Sequence, residues 1–448
     1  MKAFKAYDIR GVYGCDFTAA DVEKIGFFLP QLLSARRILV GRDDRASSPE
    51  IFTALCYGIN AAGADVVSIG LSTTPEIYFA TATQKFDAAV QITASHNSAE
   101  YNGLKVCKTG ALPVDYARGL ADLETMCAQG DVVPLKKRGR VSELDIHDDY
   151  LDFLRQYLPE NLSKLKIGVD CSNGMAALFI KDLLGKKTKY IYDTVDGTFP
   201  NHPPNPLIEE NCAGLKKLVI ENQLDIGLIF DGDGDRVMFI DERGRCVPPD
   251  LITAVLAEYF LAENPGSRVL HDIRTSKAVT ERILELGGEP HMWKVGHSFA
   301  KIKMRELGAV VGGELAGHYY FRDFFNCDSG ILTALIVLNI AGRLNAAGKP
   351  FSSCIDGLMR YANSGEINFR VDQKENAIAA VVHKFASEEK PAALYDFDGV
   401  RLEFADWWFN IRPSNTEPWL RLVIEARTPA LLAAKRAAAE AVIKNFLT

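Results

Sequence analysis

Three aspartates, spaced two residues apart and separated by glycines, form the most distinctive chemical motif in this sequence. Asp231, Asp233 and Asp235 directly follow the apolar run 225–230. Glycine lets the backbone turn tightly, so that the three carboxylates can converge. Carboxylates held together repel one another, and a hard divalent cation with oxygen ligands relieves that repulsion. The spacing therefore predicts a Mg²⁺ site with a coordination position open to a phosphate oxygen.

Three other interpretations compete with the magnesium site. The apolar runs on both sides disfavour a solvated acidic turn. A calcium-binding EF-hand loop needs glycine where Arg236 stands, and it needs helices rather than strands beside it. A phosphatase of the haloacid dehalogenase type would use Asp231 as its nucleophile. In that class the motif usually opens the chain and carries Thr or Val at the position of Asp235.

A serine in a polar turn offers a second reactive group. Ser95 lies at the end of the apolar run 87–93, a position that suits an exposed nucleophile, and no Gly-x-Ser-x-Gly elbow surrounds it. Phosphorylation of Ser95 would add negative charge and strong metal-binding oxygens, and His96 and Lys105 would neutralise that charge. A serine that caps a helix or turn is the structural alternative.

Two further segments carry groups that suit a sugar phosphate. Glu314 and His318 lie four residues apart among small residues, where they can hydrogen-bond a polyol or serve as buried structural partners. A turn later in the chain is rich in donors for a phosphate, or is an ordinary proline-rich loop. Its donors are Arg412, Ser414, Asn415, Thr416 and Arg421.

The composition is that of an ordinary globular protein. Hydrophobic residues make up 48% of the 448 residues, and the net charge is −7, so no global basic field attracts nucleic acid. The longest apolar stretch, 331–340, is shorter than the roughly 20 residues of a membrane span. The first residues do not match a signal peptide, and the cysteines form no C-x-x-C pair. We therefore expect a cytoplasmic chain with no membrane or nucleic-acid partner.

Short apolar runs alternate with amphipathic stretches through most of the chain. Runs such as 38–41 and 65–70 predict strands, and 49–62 predicts a helix. This rhythm is typical of βαβ units with a largely parallel sheet, whose active residues lie at the carboxyl ends of the strands. The rhythm recurs twice more, and a helix is predicted to begin at Met175. Three similar α/β domains with mixed, mainly parallel sheets are therefore expected.

The last part of the sequence predicts a different architecture. Segments 399–404, 407–412 and 420–426 alternate as in an antiparallel sheet, and helices are predicted at 374–387 and 429–446. These patterns indicate a smaller C-terminal α+β domain. The expected domain bounds are 1–145, 146–245, 246–362 and 363–448.

These motifs, in this order, resemble those of the α-D-phosphohexomutase superfamily over nearly the whole chain. The matching segments are an N-terminal signature at 7–11, a phosphoserine loop at 93–97, a metal loop at 231–236, a sugar-recognition loop at 313–318 and a phosphate loop at 412–418. The likeness implies four domains around one central cleft. In chain order they would be a phosphoserine domain, a metal-binding domain, a sugar-binding domain and a phosphate-binding domain.

Finer landmarks resemble the bacterial phosphomannomutase branch of that superfamily. They are the stretches 4–11, 318–324, 327–330 and 404–407. Three positions depart from the family pattern: Ala316 stands where many members have Ser, Ser98 where Pro usually follows, and Arg274 where Lys is common. These departures concern substrate preference rather than the class of reaction.

The resemblance implies that mannose 1-phosphate and mannose 6-phosphate interconvert reversibly. A phosphate on Ser95 would pass to the bound monophosphate, and the resulting hexose 1,6-bisphosphate would turn end for end and return its other phosphate. A hexose 1,6-bisphosphate would also serve as activator. Ser95 and the three aspartates would hold Mg²⁺, while Arg10, Lys105 and Arg236 would neutralise charge. The proton acceptor would be His318, His96 or Lys105.

The same resemblance implies the substrate contacts. The non-reacting phosphate would rest on the five donors of the phosphate loop, helped by Tyr7, Arg274 and His297, and Glu314 would bind the O3 and O4 hydroxyls. A site that reads only O3 and O4 tolerates both mannose and glucose, so a dual mutase stays open. A dehalogenase-type sugar phosphatase and a non-catalytic sugar-phosphate-binding protein are the alternatives. The expected partners are small hexose phosphates, and the chain would be a monomer or homodimer.

Overall fold

The computed structural model describes residues 2–414 and 419–447. Within those residues the chain forms four sheets in succession. Parallel strand pairs form part of each of the first three sheets, and antiparallel strands complete them. The fourth sheet is antiparallel. The predicted fold class, three α/β domains followed by a smaller α+β domain, is confirmed.

The first unit contains the turn with the candidate nucleophile. Its strands are ordered β1-β5-β4-β2-β3-β7, and β4 is buried along its whole length. A central strand covered on both faces needs a nearly unbroken apolar sequence, which is what β4 has. The elements are β1 (Ile9–Val12), α1 (Ala19–Leu33), β2 (Arg37–Arg42), α2 (Ser48–Ala61), β3 (Asp65–Leu71), α3 (Thr74–Thr83), β4 (Ala88–Ile92), β5 (Tyr101–Lys108), β6 (Leu112–Pro113), α4 (Leu120–Gln129) and β7 (Val141–Glu143).

The second unit places the aspartate motif in the turn of a β-hairpin. Its strands are ordered β11-β10-β8-β9, with β10 and β11 antiparallel and the other pairs parallel. The elements are α5 (His147–Arg155), β8 (Ile167–Asp170), α6 (Ile180–Leu184), β9 (Lys189–Ile191), α7 (Ala213–Glu221), β10 (Ile226–Phe230) and β11 (Val237–Asp241).

The helix predicted from Met175 takes a different form. A 3₁₀ helix spans Met175–Leu178, and α-helix follows in α6. The Met175 N–H donates to the Gly232 carbonyl at 2.9 Å, so the first turn is drawn onto the aspartate loop. Two left-handed residues before it, Ser172 and Asn173, direct the chain there. Tertiary contact thus overrides the local helical pattern.

The third unit carries the glutamate–histidine segment. Its strands are ordered β13-β12-β14-β15-β16. Its last long helix is buried on all sides over residues 330–338. That helix, α11, packs both on α8 of its own unit and on α5 and β10 of the second. The elements are α8 (Pro249–Glu263), β12 (Arg268–Asp272), α9 (Lys277–Glu285), β13 (Glu289–Trp293), α10 (His297–Leu307), β14 (Val311–Gly313), β15 (Tyr319–Phe321), β16 (Cys327–Asp328), α11 (Gly330–Ala346) and α12 (Ser352–Asp356).

The fourth unit is an antiparallel sheet covered by two helices. The strand path is β17-β22-β21-β20-β19, and β18 also pairs with β22. Its elements are β17 (Ala362–Asn363), β18 (Ile367–Arg370), α13 (Lys374–Glu388), β19 (Ala393–Tyr395), β20 (Val400–Glu403), β21 (Trp407–Pro413), β22 (Trp419–Ala426) and α14 (Pro429–Ile443).

One hydrophobic core runs continuously through the first three units. It joins residues such as Leu39, Phe230 and Leu335, whereas the fourth unit has a core of its own around Trp407 and Phe409. Loops from the first three units are therefore fixed against one another by shared packing. Among the described residues, no helix combines the length and apolar character needed to cross a membrane.

Candidate active site

The turn between β10 and β11 brings three aspartate side chains together. Asp231, Asp233 and Asp235 are fully buried, and one carboxylate oxygen of each lies within 4.8 Å of the others. Gly234 turns the loop with a φ of 73°, a conformation that residues with a Cβ rarely adopt. The three carboxylates therefore converge as the spacing of the motif predicts.

Backbone hydrogen bonds from other units hold this loop in place. The N–H of Thr74, at the start of α3, donates to the Asp233 carbonyl at 3.0 Å. The N–H of Gly330, at the start of α11, donates to the Gly234 carbonyl at 3.1 Å. The position of the carboxylates thus depends on the first and third units as well as on the second.

Two carboxylate oxygens of this cluster lack a hydrogen-bond donor among the described residues. They are Oδ1 of Asp233 and Oδ1 of Asp235. The Oδ2 atoms of the same residues accept from Nζ of Lys105 at 2.6 and 2.5 Å. Lys105 and the Arg236 guanidinium, whose Nε lies 3.7 Å from Oδ2 of Asp231, do not balance three buried carboxylates. Carboxylate oxygens are also the ligands that Mg²⁺ prefers. This donor set therefore fits a divalent cation.

Charges within the cluster shift the pKa values of its members. Burial and the two neighbouring carboxylates raise the pKa of Asp231 well above its ordinary value. Burial also opposes ionisation of Asp235, but Lys105 and His318 outweigh it and lower its pKa to about 2. Burial alone would lower the pKa of Lys105, yet Asp233 and Asp235 raise it instead. Lys105 therefore stays a cation and is a poor proton acceptor.

Ser95 lies directly against the aspartates. It occupies the turn after β4, is buried, and has a left-handed backbone with φ 52°. Its hydroxyl donates to Oδ2 of Asp231 at 2.9 Å. A side chain at position 232 would meet the Ser95 carbonyl oxygen at 2.5 Å, so Gly232 is what allows the two loops to approach. The fold thus joins the predicted nucleophile to the predicted metal ligands.

Arg45, which the sequence analysis did not single out, holds the serine turn. Its buried guanidinium donates to the carbonyls of Ser95 at 3.0 Å, Asn97 at 2.7 Å and Ser98 at 2.5 Å. Asp43 accepts from its Nε at 3.0 Å. Arg45 and Ser95 lie 50 positions apart in the chain, and no local pattern links them. Only the folded structure reveals this role.

Arg10 and His96 lie at the same turn. The guanidinium of Arg10, on β1, donates to Oδ1 of Asn97 at 3.0 Å and to Asp8 at 2.5 Å. Nδ1 of His96 is buried and has no hydrogen-bond partner in the described part of the chain. Burial, with the cations Arg236 and Arg10, lowers the pKa of His96 well below its ordinary value. The ring is therefore neutral near pH 7 and a weak base.

A β-bridge between Arg236 and His318 joins the aspartate loop to the third unit. Nδ1 of His318 donates to Oδ2 of Asp328 at 2.6 Å and lies 3.8 Å from Oδ1 of Asp235. Lys301 pairs with Oδ1 of Asp328 at 2.7 Å. Burial opposes ionisation, but Lys301 and His318 hold the pKa of Asp328 well below its usual range. Asp328 is thus an ionised carboxylate that orients the imidazole.

His297 and Tyr7 continue the site beyond His318. The His297 ring stacks on the His318 ring with centroids 5.8 Å apart, and it meets the Tyr7 ring edge-on at 5.8 Å. Burial and nearby lysine ammonium groups lower the pKa of His297 well below its ordinary value. The Tyr7 hydroxyl donates to the Val295 carbonyl at 2.9 Å. This aromatic chain connects the first unit to the third.

The Glu314 carboxylate is fixed from two sides. Oε1 accepts from the Gly296 N–H at 2.5 Å, and Oε2 accepts from the Tyr320 hydroxyl at 2.7 Å. Burial raises the pKa of Glu314. Ala316, in the same turn, contributes no hydroxyl. Any recognition of sugar hydroxyls by this turn therefore depends mainly on Glu314.

Three guanidinium groups gather where the third and fourth units meet. Arg412 and Arg421 are direct partners across β21 and β22, a like-charge placement that is unfavourable unless an anion lies nearby. Glu366 pairs with Arg274 at 3.2 Å and with Arg421 at 3.0 Å. Arg274 also pairs with Asp272 at 2.7 Å. Three of the predicted phosphate ligands therefore lie in one cluster of guanidinium groups and carboxylates.

Arg412 is incompletely paired within this cluster. It is buried, and its Nε and Nη1 atoms lack hydrogen-bond acceptors among the described residues. The Asp398 carboxylate lies 3.7 Å from Nη1. Burial and the neighbouring Arg274 lower the pKa of Arg412, although a guanidinium stays protonated in proteins. A phosphate dianion would satisfy these donors.

The remaining predicted ligands belong to the loop between β21 and β22. Ser414 directly follows β21, and its N–H donates to the Trp419 carbonyl at 2.8 Å. Asn415 and Thr416 lie outside the described residues.

The charged residues that sequence reasoning missed all position other groups. Arg401 is an example: it is fully buried and donates to the carbonyls of Ile273 and Thr275 at 2.8 Å, which fixes the loop of Arg274. The stretch 327–330, noted for its resemblance, was one available signal for Asp328. The set is Asp43, Arg45, Asp272, Lys301, Asp328, Glu366, Asp398 and Arg401.

Family models match nearly the whole chain. Three models described as alpha/beta/alpha domains I, II and III of phosphoglucomutase/phosphomannomutase match residues 1–123, 148–244 and 248–361. A fourth, the C-terminal domain of the same family, matches residues 366–442.

Individual relatives agree with the family models. The chain is 39% identical to a phosphomannomutase of Salmonella montevideo, over 95% of each chain. It is 37% identical to the phosphohexose mutases of Xanthomonas campestris, over 96% of each. It also resembles the crystal structure of a phosphoglucomutase/phosphomannomutase family protein from Burkholderia thailandensis. The TM-score is 0.88 and the identity 30%, with 99% of this chain and 97% of that one covered.

Proposed function

Because the chain belongs to the phosphoglucomutase/phosphomannomutase family, we propose that it is a phosphomannomutase that interconverts mannose 1-phosphate and mannose 6-phosphate. The observation that carries this proposal is the 2.9 Å hydrogen bond from the Ser95 hydroxyl to Asp231 within the three-aspartate cluster. The cluster of Arg274, Arg412 and Arg421 offers a second place for a phosphate. A mutase needs two phosphate sites, whereas a phosphatase needs one.

The proposed reaction begins with a phosphate on Oγ of Ser95. A hydroxyl of the bound hexose monophosphate attacks that phosphorus, the bond to Oγ breaks, and a hexose 1,6-bisphosphate forms. The bisphosphate turns end for end, and Oγ of Ser95 then takes its other phosphate. Phosphoryl transfer depends on positioning and charge neutralisation. The carbonyl contacts of Arg45 hold the serine in position, and Arg10, Lys105 and Arg236 supply positive charge.

Asp231, Asp233 and Asp235, with an oxygen of phosphorylated Ser95, would hold Mg²⁺. When bound, the ion neutralises negative charge on the transferring phosphoryl group. The two carboxylate oxygens without hydrogen-bond donors support this assignment. Lys105 would hold two of the three carboxylates in position whether or not substrate is present.

His318 is the group that we assign to accept the hydroxyl proton. Lys105 is held as a cation by two aspartates, and His96 is surrounded by cations that disfavour its protonated form. The Nδ1–H of His318 faces the ionised Asp328, an arrangement that orients an imidazole for proton transfer. His318 is also joined to the aspartate loop by the bridge to Arg236.

The non-reacting phosphate would bind to the arginine cluster and the loop that follows β21. The ligands would be Arg274, Arg412, Ser414, Asn415, Thr416 and Arg421, with Tyr7 and His297 beside them. Glu314 would bind the O3 and O4 hydroxyls. This assignment gives the four domains the roles of phosphoserine domain (1–145), metal-binding domain (146–245), sugar-binding domain (246–362) and phosphate-binding domain (363–448).

Dual activity toward mannose and glucose phosphates is the second candidate function. The absence of a hydroxyl at Ala316 favours it, because recognition by that turn then falls on Glu314 and on O3 and O4, which the two sugars share. A hexose 1,6-bisphosphate would act as activator by phosphorylating Ser95. The chain would work as a monomer or homodimer.

An assay of sugar products tests the proposal. Purified protein is incubated with Mg²⁺, a trace of hexose 1,6-bisphosphate, and either mannose 1-phosphate or glucose 1-phosphate, and the 6-phosphates are measured. We expect mannose 6-phosphate to form, and formation of glucose 6-phosphate as well would establish the dual mutase. Release of free phosphate without any 6-phosphate would contradict both and favour a phosphatase with Asp231 as nucleophile.

A further inference from the structure

The charge of the arginine cluster must be balanced while the substrate turns in the site. This inference rests on the proposed function, which requires that turn. The bisphosphate must turn end for end, so one phosphate leaves the cluster before the other arrives. Arg412 and Arg421 are direct partners across two strands, and Arg412 is buried. Departure of a dianion would leave these guanidinium groups facing each other at low solvent exposure. Repulsion of that kind slows release unless another anion takes its place.

The three carboxylates near the cluster differ in how they are held. Oδ2 of Asp272 accepts from the Leu315 N–H at 2.8 Å, so it is tied to the backbone. Oδ2 of Asp398 accepts from the Val295 N–H at 2.8 Å and is tied in the same way. Neither carboxylate is free to follow the arrival and departure of a ligand.

Glu366 has a different set of contacts. Its carboxylate bridges Arg274 and Arg421, one oxygen to each, at 3.2 and 3.0 Å. Its side chain is 22% exposed, against 6% for Arg274, and it directly precedes β18 on the fourth unit. Within the described residues, its carboxylate forms ion pairs only with these two guanidinium groups. A flexible glutamate held in this way resembles a bound anion more than a backbone support.

We propose that Glu366 is a built-in counter-ion that occupies the phosphate-binding arginines whenever the substrate phosphate leaves them. Each arriving phosphate displaces the carboxylate from Arg274 and Arg421, and each departing phosphate is replaced by it. The carboxylate thereby weakens phosphate binding in the resting site and eases release of the phosphate during reorientation. Glu366 is a positioning residue that acts through the two arginines.

Removal of the charge at constant shape tests this role. For Glu366→Gln we expect inorganic phosphate to bind about tenfold more tightly, since one competing charge is gone. Binding is measured by calorimetry without Mg²⁺, because the aspartate cluster then repels anions. In the mutase assay the same variant should lower both KM and kcat. Glu366→Asp, which keeps the charge, should stay near the wild type in both measurements.

Glu285→Gln is the matched control, because Glu285 pairs with Arg360 at 2.6 Å outside the cluster. It should change neither phosphate affinity nor KM. Weaker or unchanged phosphate binding in Glu366→Gln would overturn the proposal, since a residue that merely aligns the arginines would lose affinity when altered. The phosphate titration needs no turnover. Failure of the wild type to isomerise mannose phosphates would therefore reject the proposed function while still leaving the contrast between variants to decide the role of Glu366.

Discussion

The two ends of the candidate site are incomplete in opposite senses. At the serine end, carboxylate oxygens of Asp233 and Asp235 lack donors among the described residues, and Lys105 balances part of the negative charge. At the arginine end, donor atoms of Arg412 lack acceptors in the same part of the chain, and Glu366 balances part of the positive charge. One end therefore requires a cation and the other an anion, which is what a metal-assisted enzyme for sugar phosphates needs.

The largest expected effect comes from removing the nucleophile at the serine end. Ser95→Ala should lower turnover by at least about ten thousandfold, because the phosphate has no acceptor oxygen on the enzyme. Ser98→Ala, three residues away, is the control and should stay near the wild type. Steady-state rates of mannose 6-phosphate formation measure both variants. Substantial activity in folded Ser95→Ala would show that Ser95 does not carry the phosphate.

The cation requirement of the serine end gives the second prediction. Asp233→Ala removes one predicted ligand and one partner of Lys105, so turnover should fall by about 10²–10³-fold. The Mg²⁺ concentration for half-maximal rate should also rise. A titration of rate against Mg²⁺ separates the two effects. If the variant keeps the Mg²⁺ dependence of the wild type, Asp233 is not a ligand.

A smaller loss is expected from the carboxylate that orients His318. Asp328→Asn should lower kcat by about a hundredfold, because the imidazole loses its charged partner. KM should change little, because the substrate loses no contact. Steady-state kinetics together with a thermal unfolding curve measure the effect and check folding. A rise in KM at unchanged kcat would move Asp328 from proton transfer to substrate binding.

The anion requirement of the arginine end predicts an effect of the opposite kind. Arg412→Met should raise KM by about 30-fold with a smaller effect on kcat, because a charge-assisted contact to the non-reacting phosphate is lost. Arg427→Met is the control, since Arg427 is exposed and pairs with Asp406. Equal KM values for the two variants would remove Arg412 from the phosphate site.

The buried carboxylate of Glu76, which lies outside both ends of the site, makes stability depend on pH. Burial raises the pKa of Glu76 to about 8, and its Oε2 lacks a partner among the described residues. Between pH 4.5 and 8 the unfolded chain loses this proton while the folded chain keeps it, so stability falls as pH rises. Glu76→Gln removes that fall. The Tm of the variant minus the Tm of the wild type should therefore be about 2–4 °C larger at pH 9 than at pH 5. A Tm difference that is the same at both pH values would contradict the assignment.

The distance along the chain between interacting residues explains which of them the sequence could predict. Asp231, Asp233 and Asp235 come from one continuous loop, and glycine spacing reveals their convergence. The fold class followed from apolar periodicity, and the resemblance of ordered motifs extended it to a family. Ser95 and Arg412 were also predicted from short motifs of neighbouring residues.

The residues that were missed depend on contacts distant in the chain. Arg45 reaches the carbonyls of another loop, and Asp328 meets His318 ten positions away across an antiparallel strand pair. Glu366 reaches Arg274 over 92 positions. No spacing rule links such residues, because folding brings distant segments together, within one unit for Arg45 and Asp328 and between two units for Glu366. The 3₁₀ start at Met175 has the same cause, since a contact with the aspartate loop decides its form.

Phosphate mapping identifies the residue that carries the phosphoryl group. The protein is incubated with Mg²⁺ and hexose 1,6-bisphosphate labelled with ³²P, quenched, digested and analysed by mass spectrometry. We expect acid-stable ³²P on Ser95, and unlabelled mannose 6-phosphate should remove the label while Ser95 keeps an unlabelled phosphate. A hydroxylamine-sensitive acyl phosphate on Asp231, or a protein that turns over mannose phosphates without any labelled Ser95, would contradict this expectation.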